Sequence, residues 1–139
     1  DYQLTTTDEF FYTSYQELKD LGLEQIFIPS EDMTSHFISA TILGEPDFIR
    51  VLTMDFAFEK DTIQLIQRPK RGQAAGTMAI DNEDYTVEQI SISDLTVNVF
   101  THKSGQTSLE WEDSGILYKL EANVDTKRLL QIAHELELF

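Results

Sequence analysis

From His36 onward, apolar and polar side chains alternate with the period of a half-buried strand. Ile38, Ala40 and Ile42 share one face of His36 to Leu43. Gly44-Glu45-Pro46-Asp47 is a strong turn signal. Alternation resumes over Phe48 to Phe58, where Phe48, Leu52, Met54, Phe56 and Phe58 fall together and Arg50 is the exception. A polar hairpin loop at Glu59-Lys60-Asp61 leads into Thr62 to Arg68, with Ile63 and Leu65 facing in. The pattern returns at Tyr85 to Ile92, turns at Ser93-Asp94, and continues with Leu95, Val97 and Val99 inward. Lys103-Ser104-Gly105-Gln106 turns the chain again. Leu109 and Trp111 then point inward, Asp113-Ser114-Gly115 turns, and Tyr118 and Leu120 return.

The two ends of the chain follow a helical period. Phe11, Tyr15 and Leu18 recur at i, i+4 and i+7 within Asp8 to Leu21. Thr7 or Asp8 is placed to cap that helix, Glu9 suits its positive end, and Gly22 stands where a left-handed cap belongs, with Leu23 folding back. A short apolar segment, Ile26-Phe27-Ile28, ends at Pro29. At the other end, Asp125 caps a helix whose stripe is Leu129, Ile132, Ala133 and Leu136.

Strands grouped together with helices at the ends predict an α+β fold. The expected architecture is a curved antiparallel meander of about six or seven strands with an N-terminal and a C-terminal helix packed on it, since a lone sheet cannot bury its apolar side. A chain of 139 residues reads as one domain, residues 1–139. Residues 1–7 form a polar lead-in. Residues 69–84, with Pro69, Gly72 and Gly76, form a long loop, a kind of segment that often carries function.

Charge and chemistry narrow the function classes. The formal charge of −15 disfavours nucleic acid and anionic membrane surfaces as partners and favours cationic ones. The absence of cysteine removes disulfides, thiolate metal sites and cysteine nucleophiles, and leaves the compartment open. No apolar run is long enough to span a bilayer. The chain opens on Asp1 with no methionine, from which we expect a leader or anchor upstream.

His36, His102 and His134 lack metal-ligand spacing. Asp81-Asn82-Glu83-Asp84 is rich in hard oxygens but lacks the alternating register of a calcium loop. No serine elbow and no phosphate-cradling loop is present. The expectation is therefore a non-enzyme with no catalytic residues, metal or cofactor. Two candidate sites remain. Arg68, Lys70 and Arg71 form a basic knot able to meet an anionic partner, or to fold over the protein's own acidic surface. Trp111 and Tyr118 can stack on a ligand, but their alternation with Glu110, Glu112, Lys119 and Glu121 favours the core.

The string Leu109-x-Trp111-x-x-x-Gly115-x-x-Tyr118-x-Leu120, followed by Asp125-x-x-x-Leu129-x-x-Ile132-Ala133-x-x-Leu136, resembles the bacterial family known as domain of unknown function 4367. Leu21-Gly22 and Ile26-x-Ile28-Pro29 are similar to its early helix-then-proline segment, although Met33-Thr34-Ser35 stands where members often carry a second proline. The resemblance implies an extracytoplasmic domain of a Gram-positive protein, tethered by an upstream transmembrane helix and sometimes part of an anti-sigma-factor-like regulator. It supplies no catalytic residues. The function expected on this basis is a sensor or protein-interaction domain whose partner is a protein or cell-envelope ligand, with a small-ligand or cell-wall-polymer binder as the alternative.

Overall fold

The computed structural model describes residues 9–21, 36–45, 48–70 and 84–138. Several expectations lie outside those residues: the lead-in, the Thr7 or Asp8 cap, Gly22 through Met33-Thr34-Ser35, the Pro46-Asp47 turn tip, and 71–83, which holds Arg71 and most of the acidic cluster. The side chain of Phe48 is outside them too.

The elements are β1 (Glu9–Tyr12), α1 (Tyr15–Lys19), β2 (Phe37–Glu45), β3 (Phe48–Phe58), β4 (Asp61–Pro69), β5 (Tyr85–Ile92), β6 (Leu95–His102), β7 (Thr107–Asp113), β8 (Ile116–Ala122) and α2 (Thr126–Glu135). All eight strands join one open sheet in the order β1-β2-β3-β4-β8-β7-β6-β5, and every neighbouring pair is antiparallel. The fold is broadly α+β, with eight strands among the described residues against the six or seven expected. It is also not a single meander. Two four-stranded meanders meet where β4 pairs with β8, which sends β5 to the far edge.

The extra strand comes from the region read as a long N-terminal helix. Only Tyr15–Lys19 is helical, capped by the Ser14 side chain, which accepts from the Glu17 N–H. Tyr15 and Leu18 are buried as the helical spacing predicts, but Phe11 is 65% exposed on β1. Five helical residues cannot sustain a helix alone. The residues before them take their hydrogen bonds from β2, with Phe10 opposite Ile42 and Tyr12 opposite Ala40.

Two bulges adjust the alternation. Phe37 and Ser39 face Phe56 and Asp55, so Ile38 is an extra residue and stands 43% exposed, outside the face shared by Ala40 and Ile42. Leu43 and Gly44 face Val51 and Ile49, which makes Arg50 the extra residue. The bulge switches parity, placing Ile49 in the core and Arg50 on the surface. This is why Arg50 breaks the apolar face of β3.

The hairpins follow from their turn residues. Ser93-Asp94 and Ser114-Gly115 both have positive φ at the two central positions, the type I′ geometry that matches strand twist. Glycine removes the Cβ penalty at position 115, where φ is 82°.

The core lies on one face of the sheet, called inner below. It gathers Leu52, Met54 and Phe56 of β3, Ile63 and Leu65 of β4, Leu109 of β7 and Leu120 of β8 with Leu129, Ile132, Ala133 and Leu136 of the C-terminal segment. The Asp125 carboxylate caps α2 by accepting from the Arg128 N–H at 2.8 Å. Arg128 then reaches back to Glu59 at 3.1 Å and Asp61 at 3.7 Å, tying α2 to the β3–β4 turn. Among the described residues no helix is long and apolar enough to cross a membrane.

Candidate functional site

Successive residues of a strand point to opposite faces, and this divides the two candidate sites. On β4, Gln67 points inward and Arg68 outward. On β7, Trp111 points inward and Glu112 outward. The basic knot and the aromatic pair therefore do not combine into one site.

On the outer face, Arg68 stands across from Leu117, and Leu117 across from Glu112. Lys70 donates its N–H to the Gly115 carbonyl at 2.8 Å, and its ammonium lies 3.2 Å from Glu112. Lys70 thus folds over the protein's own acidic surface. Such an exposed pair contributes about 0–1 kcal/mol. Arg71 lies outside the described residues, so the structure places two of the three basic residues.

Glu110 occupies the same face, between Asn98 and Lys119. Burial raises its pKa above the ordinary carboxylate range. The charges of Lys119 and Arg68 pull it down, and that of Glu121 pushes it up. Because the folded state holds the proton more tightly, the fold bears a penalty when pH exceeds the raised value, and sheds it as pH falls through that value. Glu110→Gln is accordingly expected to melt higher than the parent near neutral pH, with the advantage fading on acidification. A lower melting temperature at neutral pH would mean that attraction to Lys119 and Arg68 outweighs the burial cost.

On the inner face, a row runs Leu52, Gln67, Tyr118, Trp111 across β3, β4, β8 and β7. Trp111 and Tyr118 are 5% and 9% exposed, with ring centroids 5.2 Å apart and planes 11° from parallel. They form a core stack. Burial, with Asp113 nearby, pushes the Tyr118 phenol up to about 12.

Gln67 is the residue that sequence reading missed. It is fully buried, and neither amide atom has a hydrogen-bond partner among the described residues. The signal was present: Ile63, Leu65 and Gln67 share one parity, so a polar residue stands at an inward position. Leaving such an amide unsatisfied costs about 1–3 kcal/mol.

His36 and His102 are used locally. His36 Nδ1 lies 2.9 Å from the Ala57 carbonyl and its ring stacks on Phe58 at 4.1 Å. His102 Nδ1 lies 2.7 Å from the Ser104 hydroxyl. Among the described residues no group of three histidine or carboxylate side chains is arranged to hold a metal ion.

The remaining feature is the edge formed by β5. Thr86, Val87, Glu88 and Gln89 are exposed, Val87 to 50%, and no strand lies beyond them among the described residues. The β5–β6 register runs unbroken from Tyr85 opposite His102 to Ile92 opposite Leu95.

No curated protein and no solved structure matches the chain. A family model, described as a domain of unknown function (DUF4367), matches residues 50–136. That stretch opens at the β3 bulge and runs through both halves of the sheet to the end of α2, taking in the Trp111 hairpin and the Leu129–Leu136 stripe. The chain therefore belongs to the DUF4367 family.

Proposed function

We infer that this domain is a non-catalytic sensor or protein-interaction module, held outside the cytoplasm of a bacterium by a membrane anchor and serving a regulator. The observation that supports the reading best is the β5 edge. Natural sheets protect long edges with lysine, proline, bulges or a covering segment. β5 spans eight residues without lysine, proline or bulge. An edge of that kind is a template for strand addition, in which backbone bonds give affinity and alternate side chains give specificity.

Two measurements on the full gene product in its own host test this reading. An alkaline phosphatase fused after Phe139 is expected to be active, because that enzyme matures only outside the cytoplasm. An inactive fusion made at normal abundance would refute the extracytoplasmic placement. The second measurement is the regulated transcript output, which is expected to change when the β5 edge is blocked by Gln89→Pro. Unchanged output from a normally abundant variant would refute the interaction role.

The alternative, a small-ligand or cell-wall-polymer binder, draws on Gln67. A buried amide with neither hydrogen-bonding atom partnered among the described residues, beside an aromatic stack, is the kind of convergent polar group that ligand sites contain. The chain has a single tryptophan, so Trp111 fluorescence reports on that row directly. Saturable quenching by soluble peptidoglycan fragments would favour this reading, and a flat titration would remove it.

A further inference from the structure

We propose that the free edge of β5 takes up an extended segment of a partner protein bearing lysine or arginine, as a ninth strand of the sheet. The proposal rests on the interaction reading given above and adds to it the chemistry of the partner.

Hairpin geometry identifies the backbone groups that would hold the segment. A β-turn is closed by the fourth residue's N–H donating to the first residue's carbonyl, so Ile92 and Leu95 form a hydrogen-bonded pair. Such pairs alternate along an antiparallel ladder. Ile90, Glu88 and Thr86 then bond to β6, and the bond from the Lys103 N–H to the Asp84 carbonyl, 3.0 Å, continues the same parity. The N–H and C=O groups of Tyr85, Val87, Gln89 and Ser91 point away from β6 and meet no strand among the described residues, which leaves them to a new strand.

Charge selects what that strand carries. β5, β6 and β7 contain no lysine or arginine, while Glu88, Glu110, Glu112 and Asp113 lie on them and Asp94 lies in the connecting turn. Lys70 reaches Glu112 and Lys103 reaches Asp84. Glu88 and Asp94 are exposed and have no cationic partner among the described residues. A residue on the added strand beside Glu88 would sit about 5 Å away, within reach of an ion pair. Near Ile90 and Ile92, which are only partly buried and pack against the core, the same strand would present apolar side chains. A second copy of this chain fits poorly, because each copy carries a formal charge of −15 and would bring Glu88 and Asp94 against their own kind.

The test uses the 139-residue chain and a blocked eight-residue peptide, Val-Thr-Val-Thr-Lys-Thr-Lys-Thr, whose antiparallel docking sets its valines beside Ile92 and Ile90 and a lysine beside Glu88, followed by amide NMR. Three controls accompany it: the same peptide with glutamate for lysine, a version N-methylated at alternate residues, and the protein variants Gln89→Pro and Glu88→Lys. Proline at position 89 removes only an outward N–H, which edge strands tolerate. The lysine peptide is expected to shift the Val87, Gln89 and Ser91 amides saturably, with affinity falling several-fold between about 0.05 and about 0.5 M salt. Gln89→Pro and N-methylation should each raise Kd at least tenfold. Glu88→Lys should reverse the preference between the lysine and glutamate peptides.

If both peptides bind equally and Gln89→Pro abolishes both, strand addition stands and the basic partner is overturned. If the lysine peptide fails to bind, or the N-methylated peptide binds as well as its parent, strand addition at β5 falls with it. A concentration-dependent dimer dissolved by Gln89→Pro would name a second copy as the occupant and overturn the proposal. Should Gln89→Pro unfold the chain, the N-methylated peptide carries the same arm of the test with the protein unaltered.

Discussion

Replacing Trp111 by alanine is expected to destabilise the fold by about 3–5 kcal/mol, the range for a large aromatic removed from a packed core. Trp111 is 5% exposed in β7, a strand with neighbours on both sides, so the sheet has little freedom to close the void. Its stack with Tyr118 adds about 0.5–1.5 kcal/mol beyond simple burial. Since a domain has only about 5–15 kcal/mol of net stability, the variant stands near the limit of folding. Urea denaturation at neutral pH measures the loss, and Trp111→Phe should lose clearly less because it keeps a ring in the row. A midpoint unchanged by the alanine substitution would mean that the ring contributes nothing to the core.

Gln67→Leu is expected to act in the opposite direction, raising stability by about 1–3 kcal/mol. The amide has left water without gaining a partner among the described residues, and its cross-strand neighbours are Leu52 and Tyr118. Leucine fits that surrounding and carries no polar group to desolvate. Thermal melts of parent and variant decide the sign, and a fall in melting temperature would reveal a buried water or another partner that Gln67 serves. If the variant gains stability while losing the quenching by wall fragments, Gln67 is kept for binding at the expense of the fold, the usual trade at functional positions.

These expectations differ in how far they could be read before the fold was known. Trp111 was assigned inward by alternation with Glu110 and Glu112, and the same parity rule covers Leu52 through Phe58, Ile63, Leu65 and Leu120. α2 was legible because its cap and stripe are local, both contained within Asp125 to Leu136. Gln67 was legible in principle, yet its lack of a partner was not, because whether a buried amide is satisfied depends on residues distant in the chain. Phe11, Tyr15 and Leu18 satisfied a helical template whose first member lies on a strand. Edge pairing with β2 outweighed a weak local preference. Ile38 and Arg50 broke parity because a bulge is defined by two strands together, and one strand read alone cannot reveal it.

The candidate sites follow the same division. Lys70 could be seen as one of a basic knot, but its salt bridge to Glu112 spans 42 positions and exists only because β4 lies beside β8. The exposure of β5 depends on the same pairing. Had β4 paired with β5, as a simple meander would have it, β5 would be an interior strand and its outward amides would be occupied.

Taken alone, the order of amino acids determined the quantities that are local: which side chains face the core from Leu52 through β4 and along β7 and β8, where hairpins turn, where α2 begins, the family, and an acidic surface. Tertiary structure decided the quantities that depend on pairing between distant segments: the junction of two meanders at β4 and β8, the bulges at Ile38 and Arg50, and, among the described residues, the unpartnered amide of Gln67 and the open edge of β5. The reason is physical. Side-chain periodicity is set by backbone geometry within a few residues, whereas strand order is set by which long-range contacts together bury the most apolar surface.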